Sequence, residues 1–154
     1  MIKTNIRDAT IEDARYIGHR LRQADLIEIE AYGDNVNPAI LTIESFRYSN
    51  YVRCATLNDI PVIIYGVGSS ENHKEGLIWM LSTDDIFKIS RRFVLTCNQE
   101  VKAMQGNYEK LFNFIHKDNV LSKRWLTWMG FELNETVQDN DFQYFSKEIT
   151  SCAD

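Results

Sequence analysis

The sequence predicts a single domain, residues 1–154, of the α/β (α+β) class. We expect a mixed, mostly antiparallel central sheet of about six to seven strands, flanked by about four helices. The chain has 154 residues, the usual length of one domain. Hydrophobic residues recur at every second position in some segments and at steps of three and four in others, as strands and helices require. With only 7 glycines and 2 prolines, long irregular loops are not expected.

The N-terminal part of the chain predicts one strand and two helices. Residues 2–7 have the composition of a short strand. Thr10 is a suitable N-cap, and the apolar residues after it lie on one helical face as far as the turn at 32–35. Asn37-Pro38 begins a second helix, with proline at its first position, and this helix continues to about Asn50.

The middle of the chain predicts three consecutive strands. Segments 51–57 and 61–68 form a hairpin around the turn pair Asn58-Asp59. Segment 76–83 is apolar almost throughout, which indicates a central strand that is covered on both faces. Gly66-x-Gly68 precedes no helix, so we interpret it as a β-bulge or a close backbone approach and not as a dinucleotide loop.

The C-terminal part of the chain predicts two further helices and three strands. The first helix begins at Asp84-Asp85, has an apolar face, and ends at Gly106-Asn107. The second helix is closed by Gly130 at its C′ position. The remaining assignments are strand 108–116, a cap at Asp118-Asn119 for helix 120–129, strands 131–133 and 142–149, and a frayed tail after 149.

Composition argues against several classes of protein. The formal net charge of −5 disfavours binding to nucleic acid or to an anionic membrane. The longest apolar runs are far shorter than the roughly 20 residues of a membrane span, and no signal peptide is expected, so a cytosol-like compartment is predicted. Cys54, Cys97 and Cys152 are widely spaced, so we expect no disulfide or metal site, and we place Cys54 and Cys97 in the core.

Two segments resemble the Gcn5-related N-acetyltransferases, the GNAT family. Asn119-x-x-Ser122 followed by Trp128-Met129-Gly130-Phe131 resembles the closing segment of that family. Ile6-Arg7-Asp8-Ala9-Thr10-x-Glu12-Asp13 resembles the entry of that family. Together with the order of the elements, this resemblance implies a GNAT-like fold over the whole chain. It also implies acetyl-CoA as the cofactor if the chain is an enzyme.

A second resemblance covers most of the chain. Segment 79–90, together with segment 108–114 and Gly130-Phe131, resembles a small family of internal virion proteins of short-tailed lytic phages, a family that is GNAT-like in sequence. This resemblance implies a role in the virion or in its assembly, with phage proteins as the partners. It implies a location in the host cytoplasm and then in the particle.

The coenzyme A diphosphate of a GNAT enzyme binds to a glycine-rich loop at a helix N-terminus. Segment 83–92 contains no glycine, and Asp84 and Asp85 place carboxylates where that anion would bind. One alternative stays open: a helix that begins at Ser90 would let Arg91 and Arg92 bind the phosphates, although the simpler interpretation of these arginines is a solvated face. If coenzyme A binds, the resemblance assigns its contacts to Leu81, Ser82, Thr83, Ser90, Arg91, Arg92 and Asn119.

The catalytic groups of a GNAT enzyme are only partly present. The family commonly has an acidic tyrosine seven residues after the closing asparagine, and Leu126 occupies that position. Glu75, Asp84 and His116 lie near the ends of strands that border the GNAT cleft, and His116 and Glu75 are the candidate bases, with His116 the best single one because an imidazole titrates near neutrality. For His116 we favour a strand-end histidine bound by the backbone. For the tryptophans we favour core packing over ligand stacking, at positions 79, 125 and 128.

Two functions follow from the sequence. The sequence favours a phage virion-associated or assembly protein on a non-catalytic GNAT-like scaffold. It would need no cofactor and would act through protein–protein contacts, with an exposed aromatic patch for the partner. The alternative is an acetyl-CoA-dependent N-acyltransferase with an atypical diphosphate site. A third possibility, a module that binds a small ligand or a host protein, has no specific support in the sequence.

Overall fold

The computed structural model describes residues 2–33 and 35–149, in which seven strands form one sheet with helices on both faces. The helices and strands, in chain order, are β1 (Thr4–Asp8), α1 (Ile11–Gly18), α2 (Gln23–Glu30), α3 (Pro38–Arg47), β2 (Ser49–Leu57), β3 (Ile60–Ser69), β4 (Glu75–Ser82), α4 (Ile86–Gln105), β5 (Lys110–His116), α5 (Val120–Trp128), β6 (Glu132–Leu133) and β7 (Phe142–Glu148). In this described part of the chain, no helix has the length and apolar character that crossing a membrane requires.

The strands follow the order β1-β2-β3-β4-β5-β7-β6 across the sheet. Every neighbouring pair is antiparallel except β4 and β5, which are parallel. The helix α4 is the crossover connection that a parallel pair needs. The predicted mixed, mostly antiparallel sheet is therefore confirmed.

Different helices cover the two faces of the sheet. The helices α1, α2 and α3 pack on one face, where Ile17 and Ile64 belong to one buried cluster. The helices α4 and α5 cover the other face, where Phe93 and Trp125 belong to the larger cluster. Each cluster also contains a buried cysteine, so the predicted core positions of Cys54 and Cys97 are confirmed. Predictions that concern Asp34, Cys152 and the tail beyond 149 fall outside the described residues.

Several predicted helix ends are confirmed in atomic detail. The Thr10 hydroxyl accepts the Asp13 N–H, and the Asp13 carboxylate accepts the Thr10 N–H, which is a complete capping box. Asn37 caps α3 ahead of Pro38. Gly130 adopts φ +87° after α5, the left-handed conformation that the C′ position favours.

The described residues form five helices, and about four were predicted. The helix predicted from Thr10 to the turn at 32–35 is broken into α1 and α2. The break allows the Arg22 N–H to donate to the carbonyl oxygen of Ser82 at 2.9 Å, which fixes the start of α2 at the end of β4. This tertiary contact overrides a continuous apolar periodicity, which is why the periodicity alone predicted one helix where the structure has α1 and α2.

Other predictions are corrected by local contacts. Asp85 occupies the N-cap of α4, but its side chain makes no capping bond; instead, the Asp85 N–H donates to Thr83 Oγ1 at 3.3 Å. Asn119 likewise makes no side-chain capping bond to α5. Trp125 is buried as predicted, whereas Trp128 is 52% exposed and does not belong to the core.

The pair Gly66-x-Gly68 marks a close backbone approach, as predicted. The pairing of β2 with β3 shifts register between Ser49 and Tyr51, opposite these glycines. A Cβ atom at Gly66 would lie 2.5 Å from the carbonyl oxygen of Tyr51, and one at Gly68 would lie 3.1 Å from the carbonyl oxygen of Tyr48. Gly66 therefore requires glycine for space, whereas a methyl group at Gly68 would need the neighbouring backbone to move by only a few tenths of an ångström.

Gly66→Ala is expected to lower the free energy of unfolding by at least about 2 kcal/mol, because the added methyl group meets backbone that cannot move without disturbing the sheet. Gly68→Ala is the matched comparison, with an expected loss of about 1 kcal/mol, since its contact is longer. Urea denaturation of both variants measures the difference. Equal losses, or a larger loss for Gly68→Ala, would contradict this account.

Candidate functional site

The parallel strands β4 and β5 separate part of the way along their length. They pair over three residue pairs, from Glu75↔Lys110 to Leu77↔Phe112. Beyond these pairs the two strands have no backbone pairing with each other. Asn113 Nδ2 donates to the carbonyl oxygen of Ile78 at 2.5 Å, so that a side chain crosses the gap where the backbone pairing ends. The sheet therefore has an opening between β4 and β5, and the Asn113 side chain crosses it at the point where the backbone pairing ends.

A cavity of about 760 Å³ occupies this opening. Its wall includes Glu28 of α2, Tyr32 in the turn after α2, and Glu44 of α3, which lie on one face of the sheet. It also includes Phe93 of α4 and Trp125 of α5, which lie on the other face. Because both helix layers contribute to one wall, the cavity connects the two faces of the sheet through the gap between β4 and β5.

Arg22 is a buried cation beside the open end of the gap, with only 3% of its surface exposed. Its Nη2 donates to Ser122 Oγ at 2.9 Å and to Asn119 Oδ1 at 3.3 Å, both of which lie at the start of α5. Its Nε donates to Asp25 Oδ2 at 3.2 Å. One guanidinium group thus joins the start of α2 to the start of α5.

Two carboxylates of α2 extend this buried polar network. Asp25 Oδ2 accepts the Ser82 N–H at 2.9 Å, which connects α2 to the end of β4. Glu28 Oε1 accepts the His116 N–H at 3.0 Å and the Asn119 side-chain amide at 2.9 Å. Polar side chains therefore hold α2 against the ends of both separated strands and against α5.

Burial controls the protonation of the two carboxylates. It raises the pKa of Asp25 to about 6, although Arg22 and the Ser82 N–H favour the ionised form. It also raises the pKa of Glu28, against the hydrogen bonds from Asn119 and from the His116 backbone. Asp25 Oδ1 and Ser82 Oγ are buried and have no hydrogen-bond partner among the described residues. Glu28 also lines the cavity, so its carboxyl group is placed to exchange a proton there.

A second polar contact lies on the α4 side of the cavity. The Tyr65 hydroxyl donates to Glu100 Oε1, and Arg53 Nε donates to the same oxygen at 3.3 Å. Burial and the neighbouring carboxylate of Glu100 raise the pKa of Tyr65, so this phenol stays protonated. Both Tyr65 and Glu100 line the cavity.

The N-terminus of α4 does not fit a diphosphate in the way that a glycine-rich loop does. The N–H groups of residues 86, 87 and 88 donate to the carbonyl oxygens of Thr83, Asp84 and Asp85. The Ser82 and Thr83 N–H groups donate to Asp25 and to the carbonyl oxygen of Val62. These backbone donors are already bound within the chain, and the two aspartates add negative charge, so an anion gains little at this end of the helix.

The predicted cofactor contacts are only partly brought together. Leu81 and Asn119 line the cavity, and Ser82 and Thr83 are buried beside it. Ser90 lies inside α4, which begins at Ile86, so the alternative in which Ser90 begins the helix is wrong. Of the two arginines beyond it, Arg91 is exposed, and Arg92 donates to the carbonyl oxygen of Ile2 at 3.0 Å, towards β1.

The two predicted bases lie apart from each other. Glu75 is at the paired end of β4, where its carboxylate lies 3.6 Å from Lys110 Nζ. His116 is buried at the end of β5, and its Nδ1 accepts the Asp118 N–H at 3.1 Å. Neither residue is part of the cavity wall. Within the described residues, no group of three or more His, Cys, Asp or Glu is placed to hold a metal ion.

Sequence reasoning missed Arg22, Asp25, Glu28 and Asn113. A signal was present in α2, because Arg22, Asp25 and Glu28 follow one another at steps of three and so share one helical face. Charged residues with this spacing beside apolar residues are compatible with a buried polar network as well as with a solvent-exposed helix face. No comparable signal identifies Asn113, because its role depends on where β4 and β5 separate.

The fold is similar to that of solved GNAT acetyltransferases. YncA of Salmonella typhimurium, solved with its cofactor acetyl-CoA, has a TM-score of 0.67 and 13% identity, with 98% of this chain and 96% of that chain covered. The ribosomal-protein-alanine N-acetyltransferase of Brucella melitensis has a TM-score of 0.67 and 14% identity, with 94% and 99% covered. AAC(6')-Ib, solved with ribostamycin and coenzyme A, has a TM-score of 0.65 and 15% identity, with 95% and 93% covered.

These similarities establish a GNAT-like fold, as the sequence predicted. No protein-family model matches the sequence, and the search of curated proteins gives no match. The similar structures described above are not phage proteins, so the resemblance to internal virion proteins gains no support from them. At 13% to 15% identity the likeness concerns the fold, and the function has to be argued from the site.

Arg22→Met is expected to lower the free energy of unfolding by about 3–5 kcal/mol, because it leaves the Asp25 carboxylate buried without its charge partner. The matched control is Arg15→Met. Arg15 and Glu12 form an ion pair with the same three-residue spacing, but both side chains are more than half exposed. The control should change stability by less than about 0.5 kcal/mol. Urea denaturation measures both, and similar losses would show that the Arg22 contacts contribute little.

Asp25→Asn tests the raised pKa of Asp25. A carboxyl group whose pKa rises from 3.8 to about 6 on folding stabilises the protein below pH 4 and loses that contribution as the pH rises through 6. The stability of the natural protein relative to Asp25→Asn should therefore fall by on the order of 3 kcal/mol between pH 4 and pH 7. Urea denaturation at several pH values measures this difference. A difference that grows with pH would mean that Arg22 lowers the pKa of Asp25.

Proposed function

We propose that the chain is an acyl-thioester-dependent N-acyltransferase that transfers an acyl group from a coenzyme A-type donor to an amine. The observation that carries the proposal is the cavity through the β4–β5 gap, which both helix layers line. A transferase needs two substrates to meet at one point. A passage open to both faces of a sheet lets the thioester and the amine approach from opposite sides.

The free edge of β4 supports this proposal. Beyond Leu77 the strand has lost its parallel partner, and the carbonyl oxygen of Ile78 faces β5, since Asn113 binds it. Because backbone groups alternate along a strand, Met80 faces the same edge. An extended arm with amide groups, such as pantetheine, can pair with such an edge in the way that an added strand does.

Similarity of fold adds to this argument. YncA was solved with its cofactor acetyl-CoA, and AAC(6')-Ib was solved with coenzyme A. The chain described here covers more than nine-tenths of each of those proteins. Acetyl-CoA is accordingly the donor that we propose to test first.

Glu28 is the residue that we propose as the proton acceptor. In the overall reaction a C–N bond forms and a C–S bond breaks, while the ammonium group loses two protons and the departing thiolate takes up one. Glu28 Oε1 is held by the His116 N–H and by Asn119, which fixes the carboxyl group at the cavity wall. Its raised pKa brings this carboxylate closer to the operating range of a general base. His116 and Glu75 stay weaker proposals, because neither side chain lines the cavity.

The diphosphate of coenzyme A fits the start of α4 less well than the pantetheine arm fits the free edge of β4. The backbone donors at the start of α4 are bound within the chain, and Asp84 and Asp85 lie beside them. We therefore propose that the thioester arm provides most of the binding.

A second candidate function, the non-catalytic scaffold that acts through protein contacts, is favoured by the poor fit of the diphosphate at the start of α4. Its phage role rests on the sequence resemblance alone, and detection of the chain in purified particles would test it.

Acetyl-CoA is expected to raise the melting temperature. At 100 times its dissociation constant a ligand stabilises a fold by about 2.7 kcal/mol, which corresponds to several degrees. Cys97→Phe should abolish the shift, because Cys97 lines the cavity and a larger side chain fills it. Leu95→Phe is the control on the same helix, since Leu95 is exposed. A flat melting curve at millimolar acetyl-CoA would favour the non-catalytic scaffold.

S-Acetylpantetheine, which lacks the diphosphate and the nucleotide, extends this test. If the arm dominates binding, isothermal titration calorimetry should give dissociation constants within about threefold for the two donors, because a threefold ratio is less than about 1 kcal/mol. Acetyl-CoA that binds on the order of 100 times more tightly would mean that the start of α4 rearranges to bind phosphate.

A further inference from the structure

We propose that the acceptor is a small aromatic or apolar primary amine that carries a single positive charge. This inference rests on the proposed function, since it concerns the second substrate of the same transfer. The acceptor side of the cavity is the part that α2, α3 and the facing side of β5 and β7 enclose. It lies opposite the part that α4 and α5 enclose.

The charge of the cavity wall favours a cation. Among the described residues, the charged side chains of the wall are Glu28, Glu44 and Glu100, and the wall contains no Lys, Arg or His. Glu28 and Glu44 belong to the acceptor side. Lys110 lies on the same face of β5 as Phe112 and Phe114, but it lines no part of the cavity and its Nζ is 3.6 Å from the Glu75 carboxylate. An anionic acceptor would therefore meet carboxylates without a compensating cation.

The rest of the acceptor side is aromatic and apolar. Tyr32 and Tyr48 border it with 59% and 82% of their surfaces exposed, and Phe114 borders it with 37% exposed. Trp79 and Phe142 lie deeper in the same wall. Large aromatic side chains that are left open to solvent at a cavity mouth indicate a site for an apolar ligand. Aromatic faces also attract ammonium groups.

The two properties occur together at one position, which limits the class of acceptor. Glu28 of α2 is half-buried, Tyr32 follows in the turn after that helix, and the Tyr32 ring packs against Phe142 with centroids 5.5 Å apart. When the ammonium group of an acceptor reaches Glu28, the rest of the acceptor molecule lies against these rings. A polyamine or an aminoglycoside would bring more cationic or hydroxyl groups than Glu28 and Glu44 can pair, and burying the remainder against the same apolar wall is costly. A single amine on an apolar body avoids this cost.

Depth in the cavity also separates the roles of the two carboxylates. Glu28 is anchored by hydrogen bonds from His116 and Asn119 at the strand ends, near the gap. Glu44 is exposed on α3 and lies at the outer part of the wall. We infer that Glu44 attracts the cation at the mouth and that Glu28 positions its nitrogen at the gap.

Binding of 2-phenylethylamine, its neutral counterpart 2-phenylethanol, and spermidine tests the proposal. Isothermal titration calorimetry at pH 7 should show 2-phenylethylamine binding at least about tenfold more tightly than 2-phenylethanol, the loss expected for one charge-assisted hydrogen bond. Spermidine should bind more weakly than 2-phenylethylamine despite its higher charge. Equal affinity for the amine and the alcohol, tighter binding of spermidine, or no amine binding at millimolar concentration would overturn the proposal.

Charge-neutralising variants locate the site. Glu28→Gln keeps a side-chain oxygen for the His116 and Asn119 hydrogen bonds but should weaken 2-phenylethylamine about tenfold and leave 2-phenylethanol unchanged. Glu44→Gln should weaken the amine by about two- to fivefold, since its carboxylate is exposed. Glu12→Gln on α1 is the control, because Glu12 is exposed and lines no part of the cavity. An unchanged affinity in both cavity variants would place the amine elsewhere and reject this site.

Failure of this inference can be told apart from failure of the proposed function. If S-acetylpantetheine binds and the amine does not, the transferase stands and the acceptor class is wrong. If the amine binds and neither thioester does, the amine site stands and the transferase is wrong. If both bind, mass spectrometry should detect N-acetylated 2-phenylethylamine after incubation with the thioester, and Glu28→Gln should reduce its rate of formation more than its binding of the thioester.

Discussion

The separation of β4 from β5 is the constraint on which the site depends. The two parallel strands pair at one end and separate at the other. In the separated part, backbone groups and apolar side chains face an open gap, whereas in a continuous sheet they would be paired and buried. Asn113 bridges the narrow part of the gap, and the Arg22 network holds α2 beside its open part. Both contacts lie at the cavity, since Asn113, Asn119 and Ser122 all line its wall.

The network has a large electrostatic cost and a compensating benefit. Taking Arg22 and Asp25 out of water costs several kcal/mol for each ion, and their mutual attraction with good hydrogen bonds offsets this only in part. The benefit of the pair is that it connects three elements, since its hydrogen bonds reach β4 and α5 as well as α2. A core of apolar residues could pack as tightly, but it would not fix the relative positions of these three elements with the same directional geometry.

The sequence predicted the elements better than their arrangement. Periodicity and caps located nearly every strand and helix, and the segments at Asn119 and Gly130 indicated the fold, because these signals are local. The break between α1 and α2 was missed because it depends on the Arg22 N–H meeting Ser82. The site was only partly predicted for the same reason: Leu81 and Asn119 line the cavity, whereas Glu28 and Asn113 depend on contacts between distant segments.

The sequence distances within the Arg22 network have a consequence for how the molecule folds. Arg22 meets Asn119 and Ser122 across 97 and 100 residues, and Asp25 meets Ser82 across 57 residues. Contacts of such high sequence separation form only after the intervening chain has been ordered, since loop closure has an entropic cost. We therefore expect the sheet and its flanking helices to assemble before the network closes. A chain that ends before Asn119 lacks both of the side chains near the start of α5 that bind Arg22, so it cannot complete the network.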